Sequence, residues 1–206
     1  MKVECLTVGM VGTNCYLVMN EDTKELLILD PGDEAPRIAS KIEKLGGKPA
    51  AILITHGHFD HVMAAEELAK RYKIPRLILK EEKRVLESMQ LNACGMIGHR
   101  ETYSADEFLS DGQELKLAGF TIRVIHIPGH TPGGCCFYFP EEGALFSGDT
   151  LFESSIGRTD FPEGSMSALV RSIHEKLFPM PDDTVVYPGH MGTTTIGREK
   201  VSNLFL

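Results

Sequence analysis

Thr55-His56-Gly57-His58-Phe59-Asp60-His61 decides the reading of this chain, because it packs three imidazoles and a carboxylate into one short stretch. The stretch follows Ala51–Ile54, an apolar run bounded by polar residues that reads as a buried strand. A lone histidine in a turn is ordinarily a surface residue, but that does not account for four donors side by side. Neutral imidazole and carboxylate suit zinc, iron or manganese, and closely spaced donors on a rigid strand end lower the cost of assembling a site.

Working outward, the same kind of donor recurs in the same kind of place. Thr121–Ile127 reads as a strand and runs into Pro128-Gly129-His130-Thr131-Pro132-Gly133. Ala144–Phe146 leads to Ser147-Gly148-Asp149-Thr150, and Thr184–Tyr187 leads to Pro188-Gly189-His190. Glycine and proline also serve simply to make turns, so each segment alone admits that explanation. Taken together, four strand ends offering metal donors can converge on one cleft.

With these residues in hand, the sequence resembles the metallo-β-lactamase superfamily over nearly its whole length, through His56-x-His58-x-Asp60-His61 with His130, Asp149 and His190. The resemblance implies an α/β fold, an αββα four-layer sandwich with a metal site at one edge of its two sheets. It also implies two divalent metal ions, zinc first, with iron or manganese also compatible with the ligand set. His56, His58 and His130 hold the first, Asp60, His61 and His190 the second, and Asp149 bridges them. Metal lowers the pKa of bound water from about 15.7 towards roughly 7, so Asp60 and Asp149 are the expected catalytic residues, holding the hydroxide. Cys135 and Cys136 are poor nucleophile candidates, because adjacent strand residues face opposite sides and nothing nearby activates a thiol.

Within the superfamily, Asp149-Thr150-Leu151-Phe152 and Pro188–Arg198 are most similar to the short glyoxalase II-like (hydroxyacylglutathione hydrolase-type) hydrolases. That implies a small-molecule thioester substrate. Arg158, in Gly157-Arg158-Thr159-Asp160, stands where those enzymes place a basic substrate contact, with pairing to Asp160 as the plainer alternative. Gly192 stands where a tyrosine is expected. The exported zinc lactamases carry a cysteine at the position of Asp149, which argues against an antibiotic substrate. Gly157–Phe161 also resembles the persulfide dioxygenases, which bind a single iron, so an oxidoreductase is the alternative function. A non-catalytic metal-binding protein is the third.

Composition bounds these readings. At 206 residues one catalytic domain spanning 1–206 is expected. A net charge of -8 offers no general attraction for phosphate backbones, so no nucleic-acid partner is expected. No apolar stretch is long enough for a membrane helix, and Met1–Cys5 does not read as a secretory signal. The odd number of cysteines, 5, without metal-finger spacing, points to reduced thiols and a cytoplasmic location.

Between the motifs, short β-like runs alternate with amphipathic helical ones. Strands are expected at Cys15–Met19, Glu25–Leu29, Arg76–Leu79 and Cys135–Phe139. A helix with Pro36 in its first turn and Ile38, Ile42 and Leu45 on one face ends at Gly46-Gly47. Further helices are expected over Ala64–Tyr72, near Glu81–Met89, over Met166–Leu177 and at the end of the sequence. Leu91–Ser110 shows no periodicity and reads as a long connection of the kind that covers active sites. His99 lies within it. His126 and His174 are read as structural.

Overall fold

Alternation along the strands assigns each side chain to one of two faces, and two such sheets stack in the computed structural model, which describes residues 1–206. The first sheet contains β1 (Lys2–Val8), β2 (Thr13–Met19), β3 (Glu25–Leu29), β4 (Lys48–Ile54), β5 (Arg76–Leu79) and β6 (Glu107–Leu109), in that spatial order. Its first two pairings are antiparallel and its last three parallel. Parallel neighbours need crossovers. These contain α1 (Ala35–Leu45) between β3 and β4, and α2 (Phe59–Val62) and α3 (Ala65–Tyr72) between β4 and β5.

After α4 (Lys83–Leu86) the chain builds β7 (Glu114–Leu117), β8 (Phe120–His126), β9 (Cys135–Phe139) and β10 (Ala144–Gly148). The hairpin β11 (Leu151–Phe152) and β12 (Ser155–Ile156) follows, then α5 (Met166–Ser172), β13 (Val185–Pro188), β14 (Thr194–Thr195) and α6 (Ile196–Ser202). The second sheet has the order β14-β13-β10-β9-β8-β7.

Three apolar clusters define four layers. Leu17, Leu26, Ile28, Ile52 and Ile78 pack beneath Ile38, Ile42 and Leu68 of α1 and α3. The alternate residues Val18, Leu27, Leu29, Leu53 and Leu77 face Val124, Phe137, Phe139 and Phe146 of the second sheet. On the far side, Ile125, Cys136, Leu145 and Val186 lie beneath Leu169, Ile173, Leu177 and Ile196. The αββα sandwich is therefore observed as expected. Cys135 points between the sheets and Cys136 towards the helices. Burial raises both thiols, which leaves neither able to act as a nucleophile.

Differences from the sequence reading sit where tertiary contacts override local pattern. The helix expected near Glu81–Met89 is a 3₁₀ turn, Lys80–Glu82, followed by the single turn of α4. There Glu82 points inward to accept backbone hydrogen bonds. The helix over Met166–Leu177 is α-helical only to Ser172 and closes with a wider π turn. Leu91–Ser110 contains a 3₁₀ turn, Cys94–Ile97, and ends in β6, which completes the first sheet. No helix is long and apolar enough to cross a membrane.

Phe137 is fully buried between the sheets. Replacing it with alanine should lower unfolding free energy by about 3–5 kcal/mol, read as a lower denaturation midpoint at unchanged m-value. A loss below about 1 kcal/mol would contradict the tight inter-sheet packing.

Candidate metal centre

β9 is antiparallel to both β8 and β10, and β13 is parallel to β10, so β8, β10 and β13 run in one direction and end together. His130, Asp149 and His190 follow those three ends, while His56 and His58 follow β4 of the other sheet and α2 carries Asp60 and His61. All seven donors meet at one edge of the sandwich. The donor atoms of His56, His58 and His130 lie within 4.8 Å of one another, as do those of Asp60, His61 and His190. Asp149 lies between the two groups. Its Oδ1 is 3.4 Å from His61 Nε2, and its Oδ2 is 3.5 Å from both His130 Nε2 and His190 Nε2.

Outward hydrogen bonds fix which ring nitrogens face inward. His61 Nδ1 donates to Asp30 Oδ2 at 3.0 Å and His130 Nδ1 to the Arg158 carbonyl at 2.7 Å, which turns each Nε2 inward. Thr55 gives its hydroxyl proton to Asp30, so at 3.2 Å His56 Nδ1 acts as donor to Thr55. The inward nitrogens of His56, His58 and His130 then sit 2.9–3.2 Å apart, too close for lone pairs with nothing between them. His61 Nε2 and Asp149 Oδ1 are buried without a hydrogen-bond partner. Converging lone pairs and orphaned buried acceptors fit cations held by this donor set.

Electrostatics separates the two groups. Burial pushes His56 and His130 below the usual imidazole range and His58 down to about 3, keeping that trio neutral and ready to ligate. Burial raises the Asp60 carboxyl, but His61, His190 and Thr13 outweigh it and hold it at about 2. Burial likewise opposes ionisation of Asp149, yet His61 and His190 hold it well below the carboxylate range. Against burial, the same carboxylates raise His61 well above the usual imidazole range and His190 to about 9, so the second group pairs two ionised carboxylates with protonated imidazoles, and a bound cation would take the place of those protons.

Several supporting residues carry no motif signal and were missed from sequence. Asp30, at the end of β3, accepts from the Thr55 backbone at 2.8 Å as well as from Thr55 Oγ1 and His61. Asn14 donates to the carbonyls of Pro188 and Met191 and Tyr16 to that of Pro188, holding the His190 turn against β2. Glu82 is wholly buried and accepts from Gly57 at 2.7 Å and Gly133 at 2.6 Å, tying the His56–His58 turn to the turn after His130. Burial pushes its carboxyl up to about 7, against the pull of those donors. Two glycines permit the close approach. A Cβ on Gly32 would meet the Asp60 carbonyl at 1.5 Å, and one on Gly189 would stand 2.3 Å from Asp149 Oδ1.

Five of the donors, His58, Asp60, His130, Asp149 and His190, floor a cleft of about 470 Å³, with apolar walls that include Val11, Met96, Ile97, Phe152, Phe161 and Met191. The Leu91–Ser110 connection does border it, through Ala93, Met96 and Ile97. Exposed His99 borders only a smaller hollow alongside. Arg158 lines the cleft as expected, but its guanidinium already binds Asp160 through two 2.7 Å hydrogen bonds. His126 bonds the Pro132 carbonyl and His174 packs on Phe178, both away from the centre.

A profile of the Metallo-beta-lactamase superfamily matches residues 8–190. The hydroxyacylglutathione hydrolase GloC of Haemophilus influenzae is 40% identical, the alignment covering 100% of this chain and 98% of that one. Among solved structures, the B3 metallo-beta-lactamase BLEG-1 superposes with a TM-score of 0.95 at 39% identity, covering 100% of this chain and 99% of its own. TTHA1623 in a di-iron-bound form gives a TM-score of 0.89 at 36% identity, covering 99% and 100%.

Asp149→Ala should reduce bound metal at both positions, and Asp60→Ala preferentially at one, measured as metal per chain after gel filtration. An Asp149→Ala protein that keeps two metals would remove the bridging role. Glu82→Gln turns an NH₂ group towards a backbone N–H, so stability should fall by about 1–3 kcal/mol. Metal affinity should fall about 10- to 100-fold, read by chelator competition; unchanged affinity would leave Glu82 a purely structural group.

Proposed function

The chain belongs to the metallo-beta-lactamase superfamily, and from that premise we propose that it is a metal-dependent hydrolase whose substrate is a small thioester of the hydroxyacylglutathione type. The observation that carries this reading is the pair of donor groups with Asp149 within reach of both, on the floor of an open cleft. When bound, divalent ions there supply an acidified water as nucleophile and a Lewis acid for the carbonyl. His56, His58 and His130 would hold one ion and Asp60, His61 and His190 the other, with Asp149 within reach of both.

This chain's own residues do the rest. Asp60 and Asp149 stay ionised on the cleft floor, where they accept hydrogen bonds from the attacking water and orient its lone pair. The bond from Thr13 Oγ1 to Asp60 Oδ2, 2.7 Å, limits the rotation of that carboxylate. Ser155 also lines the cleft, but its hydroxyl contacts neither imidazole nor carboxylate, so it lacks the activation a serine nucleophile needs.

Thioesters are favoured over other acyl compounds by the resemblance of Asp149–Phe152 and Pro188–Arg198 to glyoxalase II-like enzymes and by the similarity to GloC. A second reading, iron-dependent persulfide oxidation, draws on Gly157–Phe161, which places Arg158 and Phe161 in the cleft wall. TTHA1623 holds two irons, which supports iron in such a donor set but not the single-iron centre of this second reading. Similarity to BLEG-1 brings β-lactams into the assay set.

Protein loaded with zinc, iron or manganese should cleave S-lactoylglutathione or a simpler thioester without oxygen uptake, lose that activity on chelation and regain it on metal return. Oxygen uptake with glutathione persulfide, and no thioester cleavage, would select the second reading. Metal binding with no turnover of any of these compounds would make the chain a non-catalytic metal binder.

A further inference from the structure

Three loops bring exposed apolar side chains to the mouth of the cleft. Val11, between β1 and β2, is 50% exposed, Met96 in the connection after α4 is 67% exposed, and Met191 after His190 is 62% exposed. Large apolar side chains left in water around one opening mark a surface that is covered when occupied. Methionine, flexible and polarizable, moulds itself to varied apolar shapes.

The same cleft has only one cation besides its imidazoles, namely Arg158. Its guanidinium lies 4.3 Å over the Phe161 ring, and that ring in turn packs 4.7 Å from His58, so the positive charge is close to the reacting centre. One edge of the guanidinium, Nε and Nη2, is taken by the Asp160 carboxylate, which also neutralises its charge. Arg158 lowers the Asp160 carboxyl to about 2, so the pair persists throughout any ordinary assay range. A substrate carboxylate seeking a two-pronged contact on that edge must therefore displace one that is already tethered two residues away, and on the remaining nitrogen it meets a charge already paired. The chain as a whole carries a net charge of -8, which adds no compensating attraction.

We propose that the cleft selects thioesters with an uncharged, apolar group beside the scissile bond, and that Asp160 is the specificity residue that withholds Arg158 from anionic substrates. This inference rests on the thioester reading above and departs from its glutathione portion, since glutathione is anionic and the cleft favours a neutral thiol. The apolar group lies against Val11, Met96, Ile97 and Met191, while Phe161 separates it from the Arg158–Asp160 pair. Arg158 retains a second task through its backbone, because its carbonyl fixes the His130 ring. Substitutions of either side chain leave that bond available.

The test uses metal-loaded protein and four compounds: acetyl and octanoyl thioesters of N-acetylcysteamine, which is neutral, and of 3-mercaptopropionate, which is anionic. kcat/KM should rise about two- to fourfold per added methylene over part of the acyl series, in line with burial of each methylene. Wild-type protein should favour the neutral thiol. Because the Arg158–Asp160 pair is exposed, its removal shifts specificity modestly: Asp160→Asn should raise the anionic-to-neutral ratio about two- to fivefold. Arg158→Ala combined with Asp160→Asn should cancel that gain. Thioether analogues of the same four compounds, titrated by calorimetry, should bind in the same order without turnover. Cleavage with no dependence on chain length, or an Asp160→Asn ratio unchanged or lowered, overturns this proposal and leaves the thioesterase reading standing. Failure to cleave any of the four and S-lactoylglutathione overturns both.

Discussion

Lone pairs aimed at one another inside dry protein are the constraint on which the rest of this structure depends. Left alone, the inward nitrogens of His56, His58 and His130 repel, and Asp60 and Asp149 add two carboxylates to the same edge. Four of the seven donors, His56, Asp60, His61 and His130, are held from behind. Asp30 holds His61 and the Thr55 backbone, the Arg158 carbonyl holds His130, and Thr13 holds Asp60. These outer bonds cost stability when the donors face nothing, and that cost is offset when a cation satisfies them.

Legibility in the sequence follows from how local each signal is. The heptapeptide from Thr55 to His61 announces itself because its donors are adjacent, and His130, Asp149 and His190 stand out because each follows an apolar strand. Asp30, Asn14 and Glu82 give no such sign. Each acts on a residue at least 25 positions away, through a backbone group that any residue could present. Strands such as β6 and β14 were equally hidden, since a run of two or three residues has too little pattern to read and owes its existence to a neighbouring strand. Glu82 shows both effects at once: its inward turn shortens the expected helix and supplies a tie between two ligand turns.

The walls of the cleft illustrate a different limit. Resemblance points to Arg158 as a substrate contact, with pairing to Asp160 as the alternative. The arginine lines the cleft while bound to the aspartate, so the pairing is present at the position where the contact is expected. A sequence position can thus identify a charge without revealing whether that charge is free. Only the bidentate contact does so.

Each donor trio draws two members from β4 and α2 of the first sheet and one from a strand end of the second. A bound ion is thus a rivet through both sheets rather than a passenger on either. Its binding energy is added to the docking of the two halves, since neither half alone presents a complete trio, and the stabilisation grows with the logarithm of free metal over its dissociation constant. The site also reports on assembly, because it is complete only once the sandwich has closed. A chain that has paired its strands but not stacked its sheets offers the donors of His56–His61 without His130, Asp149 and His190, and so would grip an ion less firmly.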